Sequence, residues 1–288
     1  MTSHDVVGIV RRASGFRRVG HAGTLDPSAE GVLLVCTGKA TRVAQYLTDS
    51  RKVYCAEIVL GASTDTYDAE GRVVKRAPEL AVTLEEVNSV LSTFVGKIEQ
   101  VPPMYSAIKL AGQPLYKLAR AGMEVQRSAR EVEVYRAEIT DSNLPKLWVV
   151  IECSKGTYVR SIAHDLGERL GCGAHLGHLI RLASGRFTLR DALTLSSLKD
   201  AFQQGWWDEV IYPLDEAILD LSAAILAPET QRAIINGLAW TPARWRLVDG
   251  QSPPTQGLCR AYSTQGEILA LIKLDVQQSA WRPHKVFV

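Results

Sequence analysis

The sequence predicts an α+β chain that ends in a small β-rich domain, and three observations carry that prediction. The run Lys52-Val-Tyr-Cys-Ala-Glu-Ile-Val-Leu60 is rich in β-branched and aromatic residues and stops at Gly61, as a strand does. Thr83-Leu-Glu-Glu86 is a capping box, and Leu84, Val87, Leu91 and Phe94 behind it share one helical face. From about Ser222 the pattern changes to short segments divided by Gly237, Pro242, Gly250, Pro253-Pro254, Gly257 and Gly266. Residues 258–263 and 268–274 alternate there as strands, with Gln265-Gly266 as their hairpin turn.

Taken in order, Ser3 is expected to cap a short helix whose apolar positions Val6, Val7, Ile9 and Val10 lead into Arg11-Arg12. Residues 13–20 connect it to His21-Ala-Gly-Thr-Leu-Asp26-Pro27-Ser-Ala-Glu-Gly31, and the apolar run 32–36 follows. A helical segment covers 40–48, carrying Val43, Tyr46 and Leu47. After the strand at 52–60, Asp65, Asp68 and Glu70 with Gly71 make an acidic turn that lacks the ligand spacing and terminal glutamate of a calcium loop. Gly96 closes the helix begun at Thr83. Pro102-Pro103-Met-Tyr105-Ser-Ala-Ile-Lys109 is a stiff loop, and a short helix from Pro114 to Gly122 carries Tyr116, Lys117 and Arg120. Residues 131–139 and 147–153 read as two strands across a turn. The second runs into Ser154-Lys-Gly-Thr-Tyr158-Val-Arg160 and a helix with Ile162, Ala163, Leu166 and Leu170 inward, ended by Gly171. Residues 195–202 form an amphipathic helix, and 206–221 connect it to the last domain.

With 288 residues, 46% hydrophobic and 22% charged, the composition is that of an ordinary globular chain with a substantial core. The apolar runs are too short to span a bilayer, and Met1-Thr-Ser-His-Asp5 lacks the regions of a signal peptide; a cytoplasmic location and no membrane partner are expected. The five cysteines form no CxxC pair and are expected to be reduced. Cys172-x-x-His175-x-x-His178 has metal-like spacing, but no fourth ligand is evident, and Gly171, Gly173 and Gly177 read as a helix end and turn; no metal is expected. A net charge of +2 creates no global field for a polyanion. Arg11, Arg12, Arg17 and Arg18 nevertheless crowd the front of the chain, as a solvated helix face or a nucleic-acid contact.

Asp26 is the acid around which the chemistry is sought. Pro27 restricts it to extended or turn backbone. Locally the pattern is also that of a helix start, with Asp26 as N-cap and Pro27 as first helical residue. Tyr54 reads locally as a half-buried strand tyrosine, and Arg160 as a surface arginine pairing with Asp165 or Glu168.

Three blocks together change that balance: His21-Ala-Gly-Thr-Leu-Asp26-Pro, Val101-Pro-Pro-Met-Tyr105-Ser-Ala-Ile-Lys109, and Cys153-Ser-Lys-Gly-Thr-Tyr158-Val-Arg160. With Arg51-Lys52-Val53-Tyr54, the Gly61 to Asp68 segment and Leu170-Gly-Cys-Gly-Ala-His175-Leu176, they resemble the bacterial TruB family of tRNA pseudouridine-55 synthases over most of residues 3–190. The resemblance implies an α+β fold: a pseudouridine synthase catalytic domain on a mixed, mainly antiparallel sheet flanked by helices, followed by a small PUA-like β-barrel. Expected boundaries are 1–221 and 222–288, with an RNA-clamping insertion at about 101–127. The family carries an apolar strand and a Lys-Pro-x-Gly motif ahead of the stretch at Thr2-Ser3-His4-Asp5; this chain lacks both, and a sheet strand and a bracing loop are expected to be missing.

The implied activity isomerises the T-loop uridine at tRNA position 55. It involves neither redox change nor phosphate input, so no cofactor is expected. The resemblance makes Asp26 the essential acid, kept ionised by Arg160, with Tyr54 stacking on the uracil and Tyr158 beneath it. His21, Tyr105, Lys109 and Arg120 are expected to contact RNA. The partner is the tRNA T-arm, with no obligatory protein partner. Two other readings are an RNA-binding module without catalysis and a guide-RNA-dependent synthase.

Overall fold

The computed structural model describes residues 1–106, 108–110, 112–123, 125–241 and 257–288, with backbone only at Lys109, Leu110 and Arg120. Pro242, Gly250 and Pro253-Pro254 lie outside the described residues.

In chain order the elements are α1 (Ser3–Ser14), β1 (Val19–Ala22), β2 (Glu30–Gly31), β3 (Leu34–Thr37), α2 (Ala44–Asp49), β4 (Lys52–Leu60), β5 (Ala62–Thr64), β6 (Val73–Arg76), α3 (Leu84–Ser92) and β7 (Gly96–Gln100). The short pair β8 (Lys109–Leu110) and β9 (Gln113–Pro114) precedes α4 (Leu115–Arg120). Then come β10 (Arg130–Asn143), β11 (Lys146–Cys153), α5 (Val159–Arg169), β12 (Ala174–Ser184), β13 (Phe187–Thr188) and α6 (Leu195–Gln204). The last group is β14 (Ser222–Ile225), α7 (Pro228–Ile235), β15 (Leu258–Tyr262), β16 (Ile268–Asp275) and β17 (Ala280–Val286).

The chain divides into two compact units. One comprises Met1–Asp5, Gly23–Leu34 and Thr48–Thr194; the other comprises Val6–Ala22, Val35–Leu47 and Leu195–Val288. The first is built on a seven-stranded sheet ordered β13-β12-β4-β11-β10-β7, with β2 added to β12. Every pairing is antiparallel except β2 with β12. On β4, Ala56, Ile58 and Leu60 are buried on the same face as Leu147, Val149 and Ile151 of β11. Helices α3 and α5 supply Val87, Leu91, Ile162, Ala163 and Leu166 to this core. Burying an aliphatic side chain of this size contributes about 1.5–3 kcal/mol. Tyr54 lies in the same row of β4, at its margin, directly opposite Ile151 on one side and Arg181 on the other. The strand that ends the core therefore starts the site.

The strands at 52–60, 131–139 and 147–153 are found where the sequence places them, and so is the Thr83 capping box, in which Thr83 and Glu86 cap each other. The 40–48 helix is a 3-10 turn over Gly38–Arg42 followed by the short α2. Three local expectations are corrected. Ser3 does not cap α1: Thr2 and Asp5 bond each other's backbone N–H, and Ser3 is turned toward Leu25. No helix starts at Pro27, because residues 27–29 close a single turn, with Ala29 N–H donating to the Asp26 carbonyl at 3.0 Å. Gly171 and Gly173 do form the turn that ends α5, but Gly177 does not belong to it: it lies within β12, an interior strand of the sheet. Two register shifts, at Leu176/His178 and Arg181/Ala183, break the alternation that would have marked it.

In the second unit β1 pairs with β3, and β14-β15-β16-β17 form a four-stranded sheet. The Gln265-Gly266 hairpin is present, with Gly266 at φ 85°. Trp281 is almost fully buried in this sheet's core with Ala261, Ile272 and Ile234. A second cluster joins Val43 to Ile218, Leu271 and Phe287, so residues 35–47 pack as part of the same body as β16 and β17. Arg11, Arg12, Arg17 and Arg18 are all exposed.

Candidate active site

The site lies in the first unit, where three segments distant in sequence converge. The first is the loop leading from Gly23 to Gly31. Arg181, 1% exposed, reaches out of β12 and donates to the carbonyls of Val32 (Nε, 2.6 Å), Gly23 (Nη2, 3.1 Å) and Thr24 (Nη1, 3.4 Å). Ser3 fixes the loop's middle: Leu25 N–H donates to Ser3 Oγ at 2.9 Å, and the hydroxyl donates back to the Leu25 carbonyl at 3.2 Å. Gly31 is required at the far end. Its φ is 98°, and a Cβ there would lie 2.3 Å from the Arg181 carbonyl oxygen. Asp26 is thus held on a loop with little freedom.

The second segment is the start of α5. Arg160, its second residue, has a side chain only 5% exposed and lies between two carboxylates. Its Nε is 2.8 Å from Asp26 Oδ2, and its Nη1 is 3.5 Å from Asp68 Oδ2. Nη2 donates to the Tyr105 carbonyl at 3.0 Å. The expected surface pairing with Asp165 or Glu168 is therefore not found; Arg160 is buried at the centre of the site.

The third segment is the acidic turn. Tyr67 adopts φ 67°, a left-handed conformation that costs a non-glycine residue of order 1–3 kcal/mol. It is held there by stacking on His164 (centroids 3.8 Å, 10° between planes) and by the Leu176 N–H, which donates to its carbonyl at 2.9 Å. Asp68 is thereby presented to Arg160, and Thr66 donates to its other oxygen at 2.6 Å.

This arrangement corrects the expected electrostatics of Asp26. Burial pushes its carboxyl up, Arg160 opposes this, and Asp68 adds to the rise, so the net displacement is above the ordinary carboxylate value. Burial is the largest influence, and the second acid on the same guanidinium adds to it. Tyr54 and Tyr158, both half-buried, also have their phenols pushed up, chiefly by burial. For Tyr54 the nearby Arg181 charge is the largest opposing influence. Tyr158 stands two residues ahead of Arg160, and Tyr54 lies across the ladder from Arg181, which holds the Asp26 loop; the Asp26 charge raises both phenols further.

The RNA-contact residues are distributed differently. Tyr105 meets the site through its carbonyl, with its ring half-buried. The side chains of Lys109 and Arg120 lie outside the described residues; their backbones belong to β8 and α4. The base of that insertion is closed by Arg127, which donates to the Pro102 carbonyl at 3.1 Å. His21 lies on β1, in the second unit. Arg181 and Asp68 join the site although the sequence alone does not mark them as its residues. Asp68 had a visible signal in the acidic turn; Arg181 looked like any arginine after an apolar run.

His175 Nδ1 lies 2.8 Å from the Ala62 carbonyl oxygen, and His178 packs edge-on to Trp148. Among the described residues no group of three His, Cys, Asp or Glu side chains is arranged to hold a metal ion. Among the same residues no helix is long and apolar enough to cross a membrane.

Comparison with solved structures sets the class. An H/ACA RNP bound to a substrate RNA containing 2'-deoxyuridine includes a chain that matches with a TM-score of 0.75 at 25% identity, over 100% of this chain and 82% of that one. A Cbf5-Nop10-Gar1 complex gives 0.74 at 27%, with 100% and 82% covered. The fold is that of a pseudouridylate synthase. The model of the TruB family pseudouridylate synthase N-terminal domain matches residues 11–159, and that of the tRNA pseudouridylate synthase B C-terminal domain matches 160–225. A tRNA pseudouridine synthase B of Dehalococcoides mccartyi is 42% identical over 288 residues, covering 100% of this chain and 93% of the relative. One from Geobacter sulfurreducens is 45% identical over 238 residues, 83% of this chain and 78% of the relative. This chain belongs to the TruB family.

Proposed function

We propose that this chain isomerises uridine to pseudouridine in tRNA, at the T-loop uridine of position 55, with Asp26 as the essential carboxylate. The family and the relatives named tRNA pseudouridine synthase B support the reaction. The observation that carries the residue assignment is the 2.8 Å ion pair between Asp26 and the buried Arg160.

The reaction breaks the N1–C1′ bond, turns the uracil and joins C5 to C1′; the C5 proton leaves and N1 gains one. Asp26, with 38% of its side chain exposed, sits where a flipped nucleotide can reach it and acts at the ribose–uracil junction. Extruding the uridine costs a few kcal/mol, which stacking on Tyr54 and phosphate contacts offset. Both phenols stay protonated at neutral pH. Tyr54 is the better placed to take the C5 proton, because Arg181 stands directly across the ladder to stabilise a phenolate. Lys109, Arg120, Tyr105 and His21, the 101–127 insertion, and residues 222–288 as a PUA-like domain supply the RNA contacts, and catalysis needs no protein partner.

The test uses the purified chain alone with a bare T-arm stem-loop. Stoichiometric pseudouridine is expected. Tight binding without product would establish an RNA-binding module instead, and product only with a guide RNA would establish a guided synthase.

A further inference from the structure

We infer that Gln100 is a positioning residue of the site, acting on Tyr158 and, through it, on Arg160. The inference rests on the reading of Tyr158 and Arg160 given above. Gln100 is the last residue of β7, 2% exposed, on the edge strand of the seven-stranded sheet. Its amide reaches across to the residue just ahead of α5 and grips that residue's backbone twice. The Tyr158 N–H donates to Oε1 at 2.7 Å, and Nε2 donates to the Tyr158 carbonyl at 3.0 Å. The side chain thus stands in for a strand neighbour at a point where the ladder has ended.

Position explains why this matters. Tyr158 precedes α5 without any side-chain cap of its own. Its carbonyl also accepts from the Ile162 N–H at 3.2 Å, so the N–H depends on Gln100 more than the carbonyl does. A backbone N–H buried without a partner costs about 1–3 kcal/mol, and the chain relieves that cost by moving. Ser161 Oγ donates to the Val101 carbonyl at 3.2 Å, so the grip continues one residue past Gln100 and three past Tyr158. A shift of the backbone here moves the Tyr158 ring and swings Arg160 away from Asp26. No RNA need be bound for this, and Gln100 itself reaches no reacting atom.

The experiment compares wild type, Gln100→Ala and Gln100→Glu in single-turnover assays on a T-arm stem-loop across pH 5–8.5, with binding and thermal melts measured in parallel. Gln100→Ala is expected to react about 10- to 100-fold more slowly at saturating RNA, since small misplacements in a site cost on that order. Its affinity for the stem-loop should change by less than about threefold. Gln100→Glu supplies an internal control on folding. As a carboxylate it still accepts from the Tyr158 N–H but sets an oxygen against the Tyr158 carbonyl; protonated, it donates again. The charges acting on Tyr158, from Arg160, Asp26 and Arg130, are common to both proteins. The ratio of Gln100→Glu to wild-type rate should therefore rise as pH falls. Wild-type rates for both variants at every pH, or a loss confined to RNA affinity, would overturn the role of Gln100. Absence of product from wild type would instead fault the assigned function, independently of Gln100.

Discussion

Two buried arginines hold the site, and they do so in opposite ways. Arg181 directs its donors at three backbone carbonyls of the Gly23–Leu34 segment and fixes the shape of a loop. Arg160 lies against two carboxylates and sets the charge of a pocket. A carbonyl does not titrate, so the first clamp is indifferent to pH. A carboxylate does, and Asp26 stays above the usual carboxylate value although a guanidinium is 2.8 Å away, because burial outweighs that cation and the Asp68 charge adds to the rise. A cation beside an acid therefore lowers its pKa only as far as burial and neighbouring acids allow.

Replacing each arginine should separate shape from charge. Arg160→Met leaves Asp26 and Asp68 facing each other without the cation. Activity should fall about 100-fold or more, and stability by about 3–5 kcal/mol, because a buried charge loses its partner. The acid limb of the remaining activity should move to higher pH. Arg160→Lys should not restore the rate, since an ammonium cannot span two carboxylates and the Tyr105 carbonyl as the planar fork does. Arg181→Met should cost about 3 kcal/mol of stability from lost charged hydrogen bonds and lower the rate about tenfold, while the acid limb stays in place. A displaced limb in Arg181→Met, seen in a pH–rate profile, would break the distinction.

The smallest change is the most specific. Asp68→Asn removes a negative charge that raises the Asp26 pKa and frees more of Arg160 for Asp26. The sign follows directly: Asp26 must be ionised to act, its pKa drops in the variant, and activity persists to lower pH than in wild type. The profile, rather than the maximal rate, is the readout. An acid limb unmoved or moved upward would show that Asp68 does not govern Asp26.

Much of the fold was legible because its signals are local. The strand at Lys52–Leu60 carries its own composition, and the Thr83 capping box needs only four residues. The central strand β12 was not legible, because two register shifts scramble the period-two pattern that announces a strand. In the site, Asp26, Tyr54, Tyr158 and Arg160 were reachable through family motifs, whereas local pattern alone pointed to a helix cap and a surface arginine. Arg181 was unreachable: its acceptor at Val32 is 149 positions away, and nothing near Arg181 in the chain marks that bond. Gln100 was hidden for a similar reason, since its partner is a backbone 58 positions on, which carries no side-chain signature.

The central claim is that Asp26 carries the chemistry and that Arg160 and the loop clamp exist to present it. The most direct measurement is single-turnover pseudouridine formation by Asp26→Asn on a T-arm stem-loop. The melt and RNA affinity are checked against wild type. The substitution preserves size and loop geometry while removing the charge. A rate reduced by about 10³-fold or more, with binding retained, is the predicted result; turnover near the wild-type rate would contradict it.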